Sequence, residues 1–399
     1  MKKVLLLKGI SQYDAMRIYI DEYAKGLEQE GFESIILDAK EDDILDQIIK
    51  NIKSNKIDWI FTCNGVLLED KFFNDLLNQY NIKKCTFFYD HPIYHNERLN
   101  GADLNTIVLT CDRNHANYIK QHFNNIGLVD FLPLSGSYLN NYIPYNQRTI
   151  ELLFTGSYSN KDVTLSNLKN LPDVYYKIAI EMIEKMIDEP ESTIEDTLND
   201  ILNYYQFERT NEEFHLMLLL LANVDKFMRE YYREKLIRSI VENDIVINVH
   251  GNGWDKFPCK RENIIIREGY GNKALQSLAN TKISLNIMPW FRAGFQERIA
   301  SAMLSGAVSL TDTSDYIASN FKNYDNIVVY SLKELYKLPG IIRDLLNNSE
   351  KAMRIAENGL AEAQKNHTWH NRMKEVINII EKFEKSKEPP LINDFNSGN

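Results

Sequence analysis

Short runs of apolar and β-branched residues recur along the first third of the chain, each followed by a stretch with helical spacing of its apolar positions. KVLLLK (3–8), ESIILD (33–38), WIFTCN (59–64), CTFFYD (85–90), TIVLTC (106–111) and LVDFLP (128–133) predict strands. The stretches 13–30, 41–54, 68–80 and 114–124 predict helices among them. Strands alternating with helices build a parallel sheet with helices on both faces, and such sheets bind ligands at the carboxyl ends of their strands. Those ends carry Gly9-Ile10-Ser11-Gln12, Asn64-Gly65, Asp90-His91-Pro92 and Asp112-Arg113-Asn114-His115, which is a polar rim.

IELLFTGS (150–157) opens a second unit. From about 161 to 243 the pattern is helical almost throughout and predicts an insertion of three to five helices. Its LMLLLLA run (216–222) is short and flanked by charge, as in a buried bundle helix. Alternation resumes with DIVINVHG (244–251), NIIIREG (263–269), a helix at 272–280, KISLNIM (282–288), a helix near 295–305, VSLTD (308–312) and NIVVYS (326–331). Helices at 332–347, 350–366 and 370–385 follow, and the polar, Pro-bearing end KSKEPPLINDFNSGN is expected to fray or lie over the surface. The reading is α/β, with two Rossmann-like domains and a helical insertion in the C-terminal half. The domains are 1–145, 146–370 and a helix and tail over 371–399.

A chain of 399 residues is long enough for two cores, and 44% hydrophobic with 26% charged residues is a globular balance. The net charge of −10 argues against a nucleic-acid partner, whose binding comes mostly from neutralising phosphates, while leaving room for a small anion. Cys63, Cys85, Cys111 and Cys259 are scattered without metal or disulfide spacing, which fits a cytoplasmic address. The apolar run of MKKVLLLKGI is too short for a secretory signal, and no stretch has the length of a membrane span.

After the first strand stands GISQYD, without the dinucleotide glycine fingerprint; Walker and G-x-S-x-G sequences are also missing, so dehydrogenase, P-loop and α/β-hydrolase readings fall. Gly156 and Ser157, just past a strand, suit close approach of backbone N–H groups to a phosphate, or form a plain turn. His250, Gly251 and Trp254 in NVHGNGWD suit nucleotide contact, or a strand-ending turn with Trp254 as packing. In SLNIMPWFRAGFQERIASAMLSGAVSLTD (284–312), Asn286 is a buried polar residue in need of a partner. The helix after Gly294 offers its N-terminus to a diphosphate, with Arg298 one turn inside and Gln296 and Glu297 toward sugar or ribose hydroxyls. The plainer alternative makes Arg298 a solvated helix residue. Thr311 and Asp312 either face the same pocket or cap the strand end.

The stretch ISLNIMPWFRAGFQERIASAMLSGAVSLTDTSDYI resembles the C-terminal signature of the CgeB-like, spore-maturation-type glycosyltransferases of bacteria, supported by KGISQYDAMRIYIDEYAKGL, FFYDHPIYH, CDRNHANYI, FLPLSGS, VHGNGWD and IAENGLAEAQKNHTW. The resemblance implies a metal-independent GT-B enzyme without a cofactor, in which a nucleotide sugar is held mainly by the C-terminal domain and the acceptor by the N-terminal one. It implies donor-diphosphate contact by Arg298 and the helix start after Gly294. Related retaining enzymes often carry a Glu five residues before the glycine of this helix, where it meets the ribose; here Ser301 stands there. An inverting reaction also needs a general base, and Asp90, His91, His95 and His115 on the N-terminal rim are the candidates, with Asp90-His91-Pro92 reading equally as a turn.

The expected activity is transfer of a hexosyl or N-acetylhexosaminyl group from a nucleotide sugar, uridine-linked, to a hydroxyl of a protein or surface glycan. Asp90, His91 and Arg298 are the expected catalytic groups, and Gly9, Ser11, Gln12, Tyr13 and His95 the expected acceptor contacts. A nucleotide-sugar 2-epimerase and a non-catalytic scaffold are the rival readings, and a homodimer stays open.

Overall fold

The structure is a computed structural model that describes residues 2–9, 15–54, 56–269 and 271–387. Ser11, Gln12, Tyr13 and the tail from 388 lie outside the described residues. The N-terminal domain runs β1 (Lys3–Lys8), α1 (Ala15–Gln29), β2 (Glu33–Asp38), α2 (Ile44–Ser54), β3 (Trp59–Cys63), α3 (Lys71–Gln79), β4 (Lys83–Phe88), α4 (Asn96–Asn100), β5 (Thr106–Thr110), α5 (Arg113–His122) and β6 (Leu128–Phe131). Its six strands are all parallel, in the order β2-β1-β3-β4-β5-β6. β3 and β5 are buried along their whole length, which is why their sequences are unbroken apolar or small runs.

The second domain begins with β7 (Ile150–Thr155) and leaves the sheet for five helices: α6 (Lys161–Leu168), α7 (Asp173–Asp188), α8 (Ile194–Tyr204), α9 (Asn211–Leu220) and α10 (Ala222–Val241). It returns through β8 (Ile247–His250), β9 (Ile264–Arg267), α11 (Asn272–Ala279), β10 (Thr281–Leu285), α12 (Glu297–Leu304), β11 (Val308–Thr311), α13 (Asp315–Asn320) and β12 (Val328–Val329). This sheet is also parallel and six-stranded, ordered β12-β11-β10-β7-β8-β9. After α14 (Leu338–Asn347) and α15 (Ser349–Asn366), α16 (Trp369–Lys387) crosses back and packs on α1. There Trp369 lies with its ring centre 5.2 Å from Tyr19 and 4.9 Å from Tyr23.

Local chemistry sets several boundaries away from the sequence expectation. The helix expected near 295 begins at Glu297, because Gln296 is extended (φ −94, ψ 146) and occupies the N-cap. α3 starts at Lys71, where the Asp70 carboxylate accepts the Phe73 N–H. The last strand, expected over 326–331, pairs only through Val328 and Val329. A 3-10 turn at Pro92–His95 runs into α4 where the sequence pattern shows no helix; the His91 side chain opens it by accepting the Ile93 N–H at 3.2 Å.

The insertion grips the N-terminal domain through polar side chains. His215 of α9 bonds the Tyr118 hydroxyl at 2.7 Å and Asn96 at 2.9 Å, and the Tyr94 hydroxyl donates to Asp225 of α10 at 2.7 Å. Among the described residues no helix is long and apolar enough to cross a membrane. Cys63, Cys85 and Cys111 are buried and in no disulfide, as small core residues.

Candidate functional site

A cleft of about 440 Å³ opens between the carboxyl edges of the two sheets, a size suited to a small-molecule ligand. The N-terminal domain contributes Ile18 and Tyr19 of α1 and Asp90 beyond β4. Thr155, Gly156 and Ser157 follow β7, His250 and Gly251 follow β8, and Glu297, Arg298 and Ser301 come from the first turns of α12. Leu275 and Leu278 of α11 give an apolar wall, and Arg233 arrives from α10 of the insertion.

Each wall is held by identifiable contacts. The Arg298 guanidinium donates to the Thr155 carbonyl at 2.6 Å and to the Gln296 side-chain oxygen at 3.2 Å, which fixes it across the end of β7. Arg233 donates to the Ser157 carbonyl at 2.7 Å. Two guanidinium groups therefore flank the Gly156-Ser157 turn from opposite elements. Gly251 adopts φ +139, and a Cβ there would lie 2.4 Å from the Gly156 carbonyl oxygen, so the β7 and β8 turns touch through backbone. His250 lies between Gly269 O (3.1 Å from Nδ1) and the Ser277 hydroxyl (2.8 Å from Nε2). A carbonyl can only accept, so Nδ1 carries the proton and Nε2 accepts; burial lowers the pKa of this ring, which suits the neutral form.

Of the expected site residues, Asp90, Gly156, Ser157, His250, Gly251, Glu297, Arg298 and Ser301 meet in this cleft. The others stand elsewhere for visible reasons. Trp254 is 1% exposed, packed against Phe154, Tyr158 and Phe257, and its indole donates to Gly156 O at 2.8 Å from behind the turn. Asn286 is buried; its side-chain amide donates to the Thr311 hydroxyl at 3.1 Å, while its Oδ1 has no hydrogen-bond partner among the described residues. Gln296 is buried beside Arg298. Gly294 lies in the domain interface, where it bridges Asp112, whose carboxylate accepts the Ala293 N–H at 2.8 Å. Asp312 accepts the Met288 N–H at 2.8 Å and faces a different cavity.

On the acceptor side, Gly9 is not among the cleft residues, and a Cβ added to it would meet nothing within 4 Å. His95 packs on Phe88, where burial lowers its pKa to about 4. His91 turns away from the cleft: Nδ1 accepts the Ile93 N–H and Nε2 sits 2.8 Å from Glu195 of α8. Both ring nitrogens are thus engaged, and the ring joins the N-terminal domain to the insertion. His115 is buried against His91, 4.6 Å between ring centres, and burial drives its pKa well down.

Tyr19, Ser137 and Arg233 also line the cleft, and no local sequence pattern marks them. Arg233 is one of several basic residues on a long helix, and only the path of the insertion brings it over the β7 turn.

Two facing parallel sheets with a cleft between their carboxyl edges constitute the GT-B fold, and solved structures agree. The chain superposes on an alpha-glucosyltransferase in complex with UDP-glucose and DNA containing an abasic site (TM-score 0.59, 8% identity, 95% of this chain and 99% of that one). It also superposes on a sucrose-phosphate synthase from Thermosynechococcus elongatus (0.56, 9%, 97% and 100%) and on Anabaena HepE in complex with UDP and glucose (0.55, 11%, 96% and 100%). Residues 229–378 match a family model described as glycosyl transferase-like. No curated protein sequence matches the chain.

Proposed function

We propose that the protein is a glycosyltransferase that takes a sugar from a UDP-linked donor bound in the cleft and passes it to a hydroxyl acceptor. The observation that carries this reading is the pair of arginines, Arg298 and Arg233, braced on carbonyls at either side of the Gly156-Ser157 turn. Sugar transfer from a nucleoside diphosphate leaves negative charge on the departing phosphate, and fixed cationic donors stabilise it. Guanidinium groups are suited to that task by charge and fork geometry. In this reading they supply the neutralisation that a divalent cation supplies elsewhere, so neither a metal nor a cofactor is required. The apolar wall of α11 and the loop fixed by His250 would receive the base.

Asp90 enters from the opposite domain with a side chain 44% exposed, the one acidic group of that domain among the described cleft residues. We assign it the acceptor hydroxyl, from which it takes the proton if transfer inverts. Structural neighbours in complex with UDP or UDP-glucose and the family match over 229–378 support the donor class. The finer placement with the CgeB-like group, and a protein or surface-glycan acceptor, rest on the sequence resemblance.

Thermal denaturation with a panel of nucleotide sugars tests the reading. A donor at a hundredfold over its Kd should stabilise by about 2.7 kcal/mol, and Arg298→Ala should abolish that response while still folding. An equal response in Arg298→Ala removes the assignment; conversion of UDP-sugar to its 2-epimer without an acceptor replaces transfer by epimerisation.

A further inference from the structure

A second cavity of about 300 Å³ lies past the carboxyl ends of β11 and β12 and shares no lining residue with the cleft. It is bounded by Arg292, Asp312, Thr313, Ser331, Glu334 and Lys337.

Its deepest groups are incompletely paired. Asp312 is 1% exposed; Oδ1 accepts the Met288 N–H at 2.8 Å, and Oδ2 has no hydrogen-bond partner among the described residues. The Arg292 side chain is 10% exposed, and its Nε is likewise without a partner there. Arg292 Nη1 and Asp312 Oδ2 stand 4.0 Å apart. That is too far for a hydrogen bond between them, yet a hydroxyl oxygen beside the line joining them reaches both at hydrogen-bond length, accepting from the guanidinium and donating to the carboxylate. Buried donors and acceptors are rarely left unpaired, because desolvation is then uncompensated. A group that both donates and accepts completes this pair, and an ion of either sign does not.

The surrounding charge also selects against anions. Lys337 is held by Glu334 at 2.5 Å, Arg292 faces Asp312, and Glu191 at the edge is paired with Lys333 at 3.4 Å, so no excess positive charge is left to draw an anion. The Thr313 and Ser331 side chains line the same space with hydroxyls. The volume is at the lower end of the ~300–1,000 Å³ of small-molecule pockets, room for a single sugar ring.

We propose that this cavity is a second carbohydrate site, separate from the cleft, which takes one neutral hexose or N-acetylhexosamine ring and holds a ring hydroxyl between Arg292 and Asp312. It stands on the cavity alone and holds whether or not the cleft takes a nucleotide sugar.

Saturation-transfer NMR on the full chain, with D-glucose, N-acetyl-D-glucosamine and D-glucuronate as probes, tests this. A neutral sugar should receive saturation, keep it when UDP is added in excess, and keep it in Arg298→Ala. Affinity should fall about tenfold in Arg292→Met, which loses a charged hydrogen bond, and more mildly in Thr313→Val, a less buried change made in case Arg292→Met fails to fold. Three results overturn the proposal. Transfer to none of the probes means the cavity holds water only. Loss with UDP or in Arg298→Ala puts the sugar in the cleft, and preference for D-glucuronate makes the cavity an anion site.

Discussion

The Ser301 hydroxyl accepts the backbone N–H of Ser137 at 2.9 Å, across 164 residues of chain. The sequence resemblance would place a ribose-binding carboxylate at position 301, and here the Ser301 oxygen instead fastens the segment that leads from one domain to the other. The approach is close: a Cβ on neighbouring Gly136 would lie 2.4 Å from the Ala300 carbonyl carbon and the Ser301 nitrogen. Ser301→Ala leaves the buried Ser137 N–H unpaired and should lower stability by about 1–3 kcal/mol, seen as a shifted urea midpoint at constant m. Ser301→Glu should cost at least as much, since the longer side chain has to displace the segment around Ser137. Tighter donor binding by Ser301→Glu without loss of stability would show that a ribose site is merely vacated here.

Gly251→Ala tests the backbone contact that shapes the cleft. The residue holds φ +139, and the added methyl would stand 2.4 Å from Gly156 O and 2.8 Å from Ser157 N. Backbone cannot yield as a side-chain tip can, so strain of about 1–3 kcal/mol is expected, together with weakened donor binding because the β7 turn must move. Gly253→Ala is the control, since its φ is +84 but its contact is with Tyr158, one residue further from the turn. It should destabilise with less effect on the donor.

Stability should depend on pH through Asp312. Burial raises its carboxyl to about 6, against the pull of Arg292 and of the Met288 N–H. Unfolded, the group titrates near ~3.9. Between those values the folded chain holds a proton that the unfolded chain has released, so stability falls as pH rises, by up to about 1.4 kcal/mol per unit, and levels off above the folded value. Asp312→Asn removes this titration. Urea midpoints of parent and variant should converge or cross as pH rises through this window and then run parallel; a constant difference throughout would assign the parent's slope to other groups.

The strands were legible because parallel strands buried on both faces have to be apolar along their length, and both sheets announce themselves that way. The runs at 3–8 and 33–38 coincide with β1 and β2 residue for residue, although β2, at the sheet edge, is only partly buried. Where a run ended in polar residues, as in CTFFYD, the polar end belonged to the site and not to the ladder: β4 stops at Phe88 and Asp90 is left for the cleft. Contacts between distant segments were not legible. Asp112 with Ala293 is separated by 181 residues and His91 with Glu195 by 104, and no local pattern records either pairing. Trp254 and Gln296 looked like ligand groups because they flank a sheet edge, whereas packing turned both inward.

The neighbours Asp90 and His91 should separate cleanly by mutation. His91 is buried and bonded at both nitrogens, and Glu195 at 2.8 Å, aided by Asp225, outweighs the burial that disfavours its charge. Glu195→Ala leaves the buried Nε2–H of His91 unpaired, which costs about 1–3 kcal/mol, and should loosen the insertion from the N-terminal domain and lower the midpoint of unfolding. His91→Gln keeps a donor toward Glu195 and should lose stability, with kcat changed only a few-fold at temperatures where it is folded. Asp90 packs on nothing comparable: Arg229 is 3.4 Å away and the carboxylate is otherwise open to the cleft. Asp90→Asn should therefore fold normally, keep its donor response, and lose about 10²–10⁴ in kcat if the carboxylate is the base. Steady-state rates with a fixed acceptor decide it, and full activity in Asp90→Asn beside an inactive but folded His91→Gln would move the proton-accepting role to His91.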